Sequence, residues 1–280
     1  MDVSSIPKIG RMSAEAAHQS SSAASARKAR EAEFHDTAFS QHTRERLWSS
    51  WYRVARAPYA FYSRTLERRC AGARVLEYGC GPGSHASTLA RAGARDVVGI
   101  DISPVAIKQA RERAREEGTE STTSFEVMDA EALDLPSRHF DLICGTSILH
   151  HLELDSGLAE LRRVLTAQGS AIFLEPLGHN LAINLYRRRT PELRTPDEHP
   201  LLLDDLEAAG SHFERVGTRF FTLATLLGVA ARRTPAFDAV LDVLEAVDRG
   251  LFCLAPPLRR YAWQVVIELS RPRVQPAPPP

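Results

Sequence analysis

The stretch Val75-Leu76-Glu77-Tyr78-Gly79-Cys80-Gly81-Pro82-Gly83 decides the fold of this chain. Three glycines at alternate positions follow a short apolar segment, and a carboxylate stands two places before the first. Glycine reaches backbone angles closed to other residues, and its missing side chain lets a ligand approach the main chain. Arg74 to Tyr78 reads as a buried strand and Ser84 to Arg91 as the helix after it. The turn therefore sits where the first strand of an α/β unit hands over to its helix, the corner at which such units bind ligands.

The pattern continues downstream. A second buried strand, Asp96 to Asp101, ends in an acid 22 residues past Gly79. That is close to the offset of roughly 20 residues at which a carboxylate takes both ribose hydroxyls of a bound nucleoside. A third strand, Ser124 to Met128, runs into Asp129-Ala130, where a carboxylate can accept the exocyclic amine of adenine. A fourth, Phe140 to Cys144, leads into Gly145-Thr146-Ser147-Ile148-Leu149-His150-His151, and a fifth, Ser170 to Leu174, ends in Glu175-Pro176. Polar residues at successive strand ends are expected where ligands bind beyond the carboxyl edge of an open sheet. The fold expected is a seven-stranded, mostly parallel Rossmann-like α/β sheet with helices on both faces. An N-terminal helical lid and a helical cap insertion complete it.

These residues resemble the class I S-adenosylmethionine-dependent methyltransferases, in the branch that modifies quinones and small molecules. The resemblance covers residues 70 to 176, with a looser fit to residue 270. Glu77 to Gly83 matches the family's first motif, Asp101 its second, Asp129-Ala130 its third, and Phe140 to Ile143 with Leu149-His150-His151 its fourth. The resemblance implies S-adenosyl-L-methionine as cofactor, held by Glu77, Gly79, Cys80, Gly81 and Gly83 at its methionine end. It further implies Asp101 and Ile102 at the ribose, Asp129 and Ala130 at the adenine, and main chain near Ser147 at the amino group. A nicotinamide-binding domain is the competitor. It needs a third glycine where this chain has Ser84, and a pyrophosphate site that Glu77 would oppose, whereas the ammonium of S-adenosylmethionine suits Glu77.

Balanced charge, 35 basic against 35 acidic residues, gives no global field for nucleic acid. Four scattered cysteines show no metal or disulfide spacing, which fits reduced thiols in a cytoplasmic protein. No apolar run nears the ~20 residues of a membrane span, so no stable membrane insertion is expected. A monomer or homodimer acting on a small-molecule acceptor is expected. Residues 1–28, rich in Ser and Ala with few large apolar side chains, read as a disordered tail. Residues 29–68 read as the helical lid, with an aromatic cluster that either packs on the sheet or covers the sulfonium. Tyr52, Tyr59 and Tyr62 are its candidate acceptor contacts. Residues 69–270 form the core, in which two excursions, 177–200 and 221–260, are expected to shape the acceptor pocket. A Pro-rich tail, 271–280, follows.

Methyl transfer is an in-line displacement at a carbon that the sulfonium has already activated, so alignment is the protein's main task. A base is needed only for an acceptor that is protonated in its ground state. His150, His151 and Glu175 are the candidates, His150 slightly preferred. His179, Asn180, Tyr186, Arg187, Arg194 and His199 form a polar set suited to a small polar or anionic acceptor. No pair of histidines has the i, i+4 spacing of a helical metal motif, so no metal site is expected. The leading reading is methylation of an N or O atom of a metabolite or amino-acid derivative. The alternatives are a lipid or isoprenoid quinone methylated at a membrane surface, and a non-catalytic cofactor-binding module.

Overall fold

The computed structural model describes residues 9–40, 53–83, 85–195 and 197–274, with the side chains of the first helix described from Ala24. In chain order the elements are α1 (Ile9–Ser40), α2 (Arg56–Arg69), β1 (Arg74–Tyr78), α3 (Ala86–Arg91), β2 (Asp96–Asp101) and α4 (Pro104–Glu116). β3 (Thr123–Val127), β4 (Phe140–Thr146), α5 (Leu154–Val164), β5 (Leu165–Pro176) and α6 (Leu181–Arg189) follow. α7 (Leu203–Ala208), β6 (Phe213–Phe221), α8 (Phe237–Leu254) and β7 (Gln264–Pro272) complete the chain. The strands form one seven-stranded sheet in the order β3-β2-β1-β4-β5-β7-β6. β1 to β5 run parallel, and β7 lies antiparallel between β5 and β6.

The alternation of side chains along β1 explains the layering. Leu76 and Tyr78 join Leu158, Leu161 and Val164 of α5 in the core on one face. Val75 joins Tyr62 and Leu66 of α2, Leu89 of α3 and Ile107 and Ala110 of α4 on the other. A strand covered on both faces reads as a continuous apolar run, which is why β1 was so legible. α4 starts sharply because Ser103 accepts a hydrogen bond from the Ala106 N–H at 3.0 Å and Pro104 occupies the first turn. Between β1 and β4 the strand order reverses, and this switch point is where such sheets bind ligands.

Two expectations, the N-terminal tail and the start of the Pro-rich tail, are corrected here. The tail expected over residues 1–28 is helical from Ile9 onward, residues 1–8 lying outside the described ones. Alanine recurs through that stretch and has the highest helix propensity, and from residue 27 onward the helix is anchored to the core. The connector 177–200 contains α6, capped where the Asn180 side chain accepts from the Ile183 N–H at 3.1 Å. Arg187, Arg188 and Arg189 sit in its last turn, where the helix dipole favours cations. Residues 275–280 of the Pro-rich tail, like Trp48, Trp51 and Tyr52, lie outside the described residues, while Pro272 closes β7. Residues 221–260 do form a helical cap. Buried Asp248 of α8 accepts from the N–H groups of Leu223, Ala224 and Thr225, and Arg56 of α2 reaches Glu245 at 2.7 Å. Among the described residues no helix is long and apolar enough to cross a membrane.

Candidate functional site

A cavity of about 230 Å³ opens at the carboxyl ends of β1, β2, β3 and β4. Glu77, Gly79, Cys80, Gly81, Asp101, Ile102, Asp129, Ala130 and Ser147, all expected at the cofactor, line it together. Gly79 has φ +69°, and a Cβ there would approach Ile148 to 2.8 Å, so only glycine lets the turn pass beside the β4 loop. Gly83, also expected at the cofactor, instead packs on α4 and β3, where a Cβ would meet Ala110 at 3.1 Å and Phe125 at 3.3 Å. Asp101 is fixed by backbone donors, accepting from Gly81 N–H at 2.8 Å and Ser103 N–H at 2.9 Å.

Glu77 serves two ends at once. Its oxygens accept the N–H groups of His85 (3.1 Å) and Ala86 (2.9 Å) at the start of α3, and its side chain also borders the cavity. Burial pushes its carboxyl up to about 8, against those two backbone donors and with Asp101 adding to the rise. Such a group favours a cationic ligand, which would restore its charge.

The opposite wall comes from α1. Arg27, Lys28, Glu31, His35 and Phe39 follow helical spacing and present one face to the cavity. Lys28 reaches Asp129 at 2.6 Å and Glu131 at 3.0 Å, and Arg27 reaches Glu131 at 2.5 Å. Asp36 accepts from the Ser103 hydroxyl and, at 3.3 Å, from the Val105 N–H at the start of α4. With α1 seated, the volume falls below the ~300–1,000 Å³ usual for a ligand site.

The two histidines after β4 part company. His150 does not line the cavity, contrary to expectation. It is buried, with Nδ1 2.7 Å from Glu175 and Nε2 3.5 Å from Glu198. Burial works against the charged ring, but the two carboxylates outweigh it and raise His150 to about 9. Glu175 faces the same way, accepting from the N–H groups of Ile148 and Leu149 at 2.9 Å each, so it fixes the turn rather than meeting a ligand. His151 lines the cavity. Burial, with the neighbouring His150 charge, lowers it to about 4, so its ring is neutral.

Residues 75–169 match the family model described as a methyltransferase domain. Over these residues, a third of the chain, it is similar to a methyltransferase domain. The chain is 38% identical over 100 residues to the methyltransferase GfsG of Streptomyces halstedii, covering 35% of this chain and 36% of that protein. It is 33% identical over 136 residues to a ubiquinone biosynthesis O-methyltransferase of Methylocella silvestris, covering 48% of this chain and 50% of the relative. The chain thus spans a third to a half of the length of these relatives. In fold it is similar to phosphoethanolamine N-methyltransferase 2 of Haemonchus contortus in complex with S-adenosyl-L-methionine, with TM-score 0.54 and 16% identity. The match covers 75% of this chain and 52% of that one. The cofactor expected from the sequence is S-adenosylmethionine. The residues present fit it: an ammonium suits buried Glu77, a ribose suits Asp101, and Gly79 and Gly81 line the same cavity without side chains.

The expected acceptor contacts are dispersed. Tyr59 lines the cavity, but Tyr62 is buried beneath the sheet against His85, their ring centroids 5.3 Å apart. None of His179, Asn180, Tyr186, Arg187, Arg194 and His199 lines it. His179 accepts from Leu203 N–H at 3.4 Å, and Asn180 donates to the Tyr261 carbonyl at 2.6 Å. Arg187 pairs with Glu198 at 2.8 Å. Arg194 lies over the Tyr186 ring and donates to the carbonyls of Arg187 and Thr190 at the end of α6. His199 is exposed near Asp205 at 3.6 Å. These polar groups satisfy their own connection. The methyltransferase domain instead receives its second wall from α1, whose face at residues 27, 31, 35 and 39 is legible as i, i+4 spacing but carries no motif.

Proposed function

We propose that this chain transfers the methyl group of S-adenosylmethionine to an N or O atom of a small-molecule acceptor bound between the cofactor cradle and α1. The observation that carries this reading is the cavity itself. One wall brings together nine of the ten residues expected at the cofactor, and the cavity is also lined by Glu31, His35, Tyr59 and the neutral His151. The sulfonium supplies an activated methyl carbon when the cofactor is bound. The chain's residues orient the acceptor and exclude water, and His151 offers a lone pair where an acceptor proton must go. Tyr59 presents a ring to the cationic centre. An isoprenoid quinone acceptor is the second reading. It is favoured by the ubiquinone O-methyltransferase relatives and by exposed Leu181 and Leu185 on α6 beside Arg188 and Arg189.

Calorimetric titration with S-adenosylmethionine, S-adenosylhomocysteine and nicotinamide dinucleotides tests the reading. The first two are expected to bind and the last not. Asp101→Ala is expected to weaken cofactor binding by about tenfold or more, because charge-assisted bonds are worth roughly 1.5–3 kcal/mol. Unchanged affinity in a folded variant would remove Asp101 from the ribose. Lipid vesicles that stimulate turnover would favour the quinone acceptor.

Glu77 gives the cofactor reading a pH signature. Its folded pKa of about 8 lies above the ordinary 4.5, so between these values the native state holds a proton that the unfolded state releases. Stability of the free protein therefore declines as pH rises through that window. A bound ammonium favours the ionised form, so binding at pH 7 is expected to release a proton, and affinity is expected to rise toward pH 8. Titrations in buffers of different ionisation enthalpy read the proton count. Proton release that persists in Glu77→Gln would locate it elsewhere.

A further inference from the structure

We propose that Glu31, His35 and His151 form a site for one divalent transition-metal ion of Zn2+ type, with an open coordination position facing the acceptor side of the cavity. Two histidines and one carboxylate are a donor set that holds such an ion and leaves room for a further ligand. Glu31 and His35 stand one turn apart on α1, and His151 comes from the turn after β4. Their candidate donor atoms all lie within 4.8 Å of one another. The Glu31 Oε2 is 3.1 Å from His151 Nδ1 and 3.5 Å from His35 Nε2. Ligands at about 2.0–2.1 Å from a tetrahedral ion stand roughly 3.4 Å apart, so little movement is needed.

The second observation is that these atoms lack the partners their burial demands. Glu31 Oε2 and His151 Nδ1 are both buried and neither makes a hydrogen bond, although they are close enough for one. Unpaired buried polar atoms are costly, and a shared cation would satisfy both. The other Glu31 oxygen is held by the Thr195 hydroxyl at 2.5 Å, the kind of outer contact that orients a ligating carboxylate. The nearby cations Arg27 and Lys28 are matched by Glu131 and Asp129, and His150, 4.2 Å from the His151 ring, is matched by Glu175 and Glu198, so the Glu31 carboxylate is left to the cluster.

The use of the open position rests on the proposed methyl transfer, whereas the ion site rests on geometry alone. An acceptor hydroxyl or phenol bound there would lose its proton to solvent more readily, as metal-bound water does. Its oxygen pair would then form the bond to the methyl carbon, while the carbon–sulfur pair stays on sulfur as the thioether. The reaction is redox-neutral, so a non-redox ion suffices. Because two ligands come from α1 and one from the core, the ion would also fasten the lid.

The test uses the untagged full chain, stripped with chelator and titrated with Zn2+ against a chromophoric competitor, and with Co2+ followed by ligand-field absorption. One ion per chain is expected, with a spectrum of low coordination number. Glu31→Gln, His35→Ala and His151→Ala are each expected to weaken binding at least tenfold, and Thr195→Val by about 10–100-fold. S-adenosylhomocysteine binding, measured on the same samples, reports an intact fold. Wild-type protein that binds S-adenosylhomocysteine but takes up no stoichiometric ion would overturn the site, as would binding that survives all three ligand substitutions. Ion uptake without S-adenosylhomocysteine binding would keep the site and sink the functional reading instead.

Discussion

His151→Ala is expected to lower turnover about 10²–10⁴-fold while leaving cofactor affinity nearly unchanged, the range typical of a lost proton-transfer group. Its position is the reason. His151 lines the cavity beside Ser147, Ile148 and Leu152, at the end of β4 and facing α1. Being neutral, the ring offers a lone pair to an acceptor proton or to a metal ion, and either loss disables an acceptor that must be ionised. Single-turnover rates at saturating cofactor measure the effect free of product release. Parallel metal analysis separates the two roles: if the ion stays bound while the rate falls, His151 takes the proton itself. A folded variant that turns over at the wild-type rate would show that alignment alone drives the reaction.

The glycine turn and strand ends that line the cavity were legible because their requirements are local. A turn that must pass beside Ile148 demands glycine at residue 79, and a carboxylate that must end β2 appears as Asp101, so both leave marks in a short window. The strands were legible for a related reason, since two-sided burial writes near-continuous apolar runs. The second wall was not legible. Glu31, His35 and Phe39 belong to a polar-looking helix, and their role depends on where α1 lands, some 120 residues in sequence from His151. The Glu31–His35 pair has i, i+4 spacing, but a carboxylate and a histidine one turn apart also pair on ordinary helix surfaces, so the spacing marks no site by itself. The polar connection 177–200 misled in the opposite direction. Its Arg and Asn side chains spend their hydrogen bonds on α6 and its neighbours, which sequence alone does not distinguish from groups facing a ligand. The choice between His150 and His151 failed for want of partners: only the folded chain brings Glu175 and Glu198 to one ring and Glu31 to the other.

Glu175→Ala is expected to destabilise the fold by about 3–5 kcal/mol, the cost of breaking a buried ion pair and stranding the remaining charge. Glu175 is 1% exposed and accepts three hydrogen bonds, from Ile148 N–H, Leu149 N–H and His150 Nδ1. Without it, a buried imidazolium keeps only Glu198 at 3.5 Å, and two buried N–H groups lose their acceptor. At this chain length the change should appear as a Tm lower by roughly 6–20 °C. Glu175→Gln restores an acceptor to the two N–H groups but not the charge, so it is expected to fall between the wild type and the alanine variant. The damage should also reach the cofactor. Ile148 lies where a Cβ on Gly79 would sit, so a loosened turn lets Ile148 drift into the cradle. Thermal unfolding and S-adenosylhomocysteine titration should therefore fail together. If Glu175→Ala keeps the wild-type Tm but loses turnover, Glu175 meets the acceptor after all, and its role in holding the histidine turn is secondary.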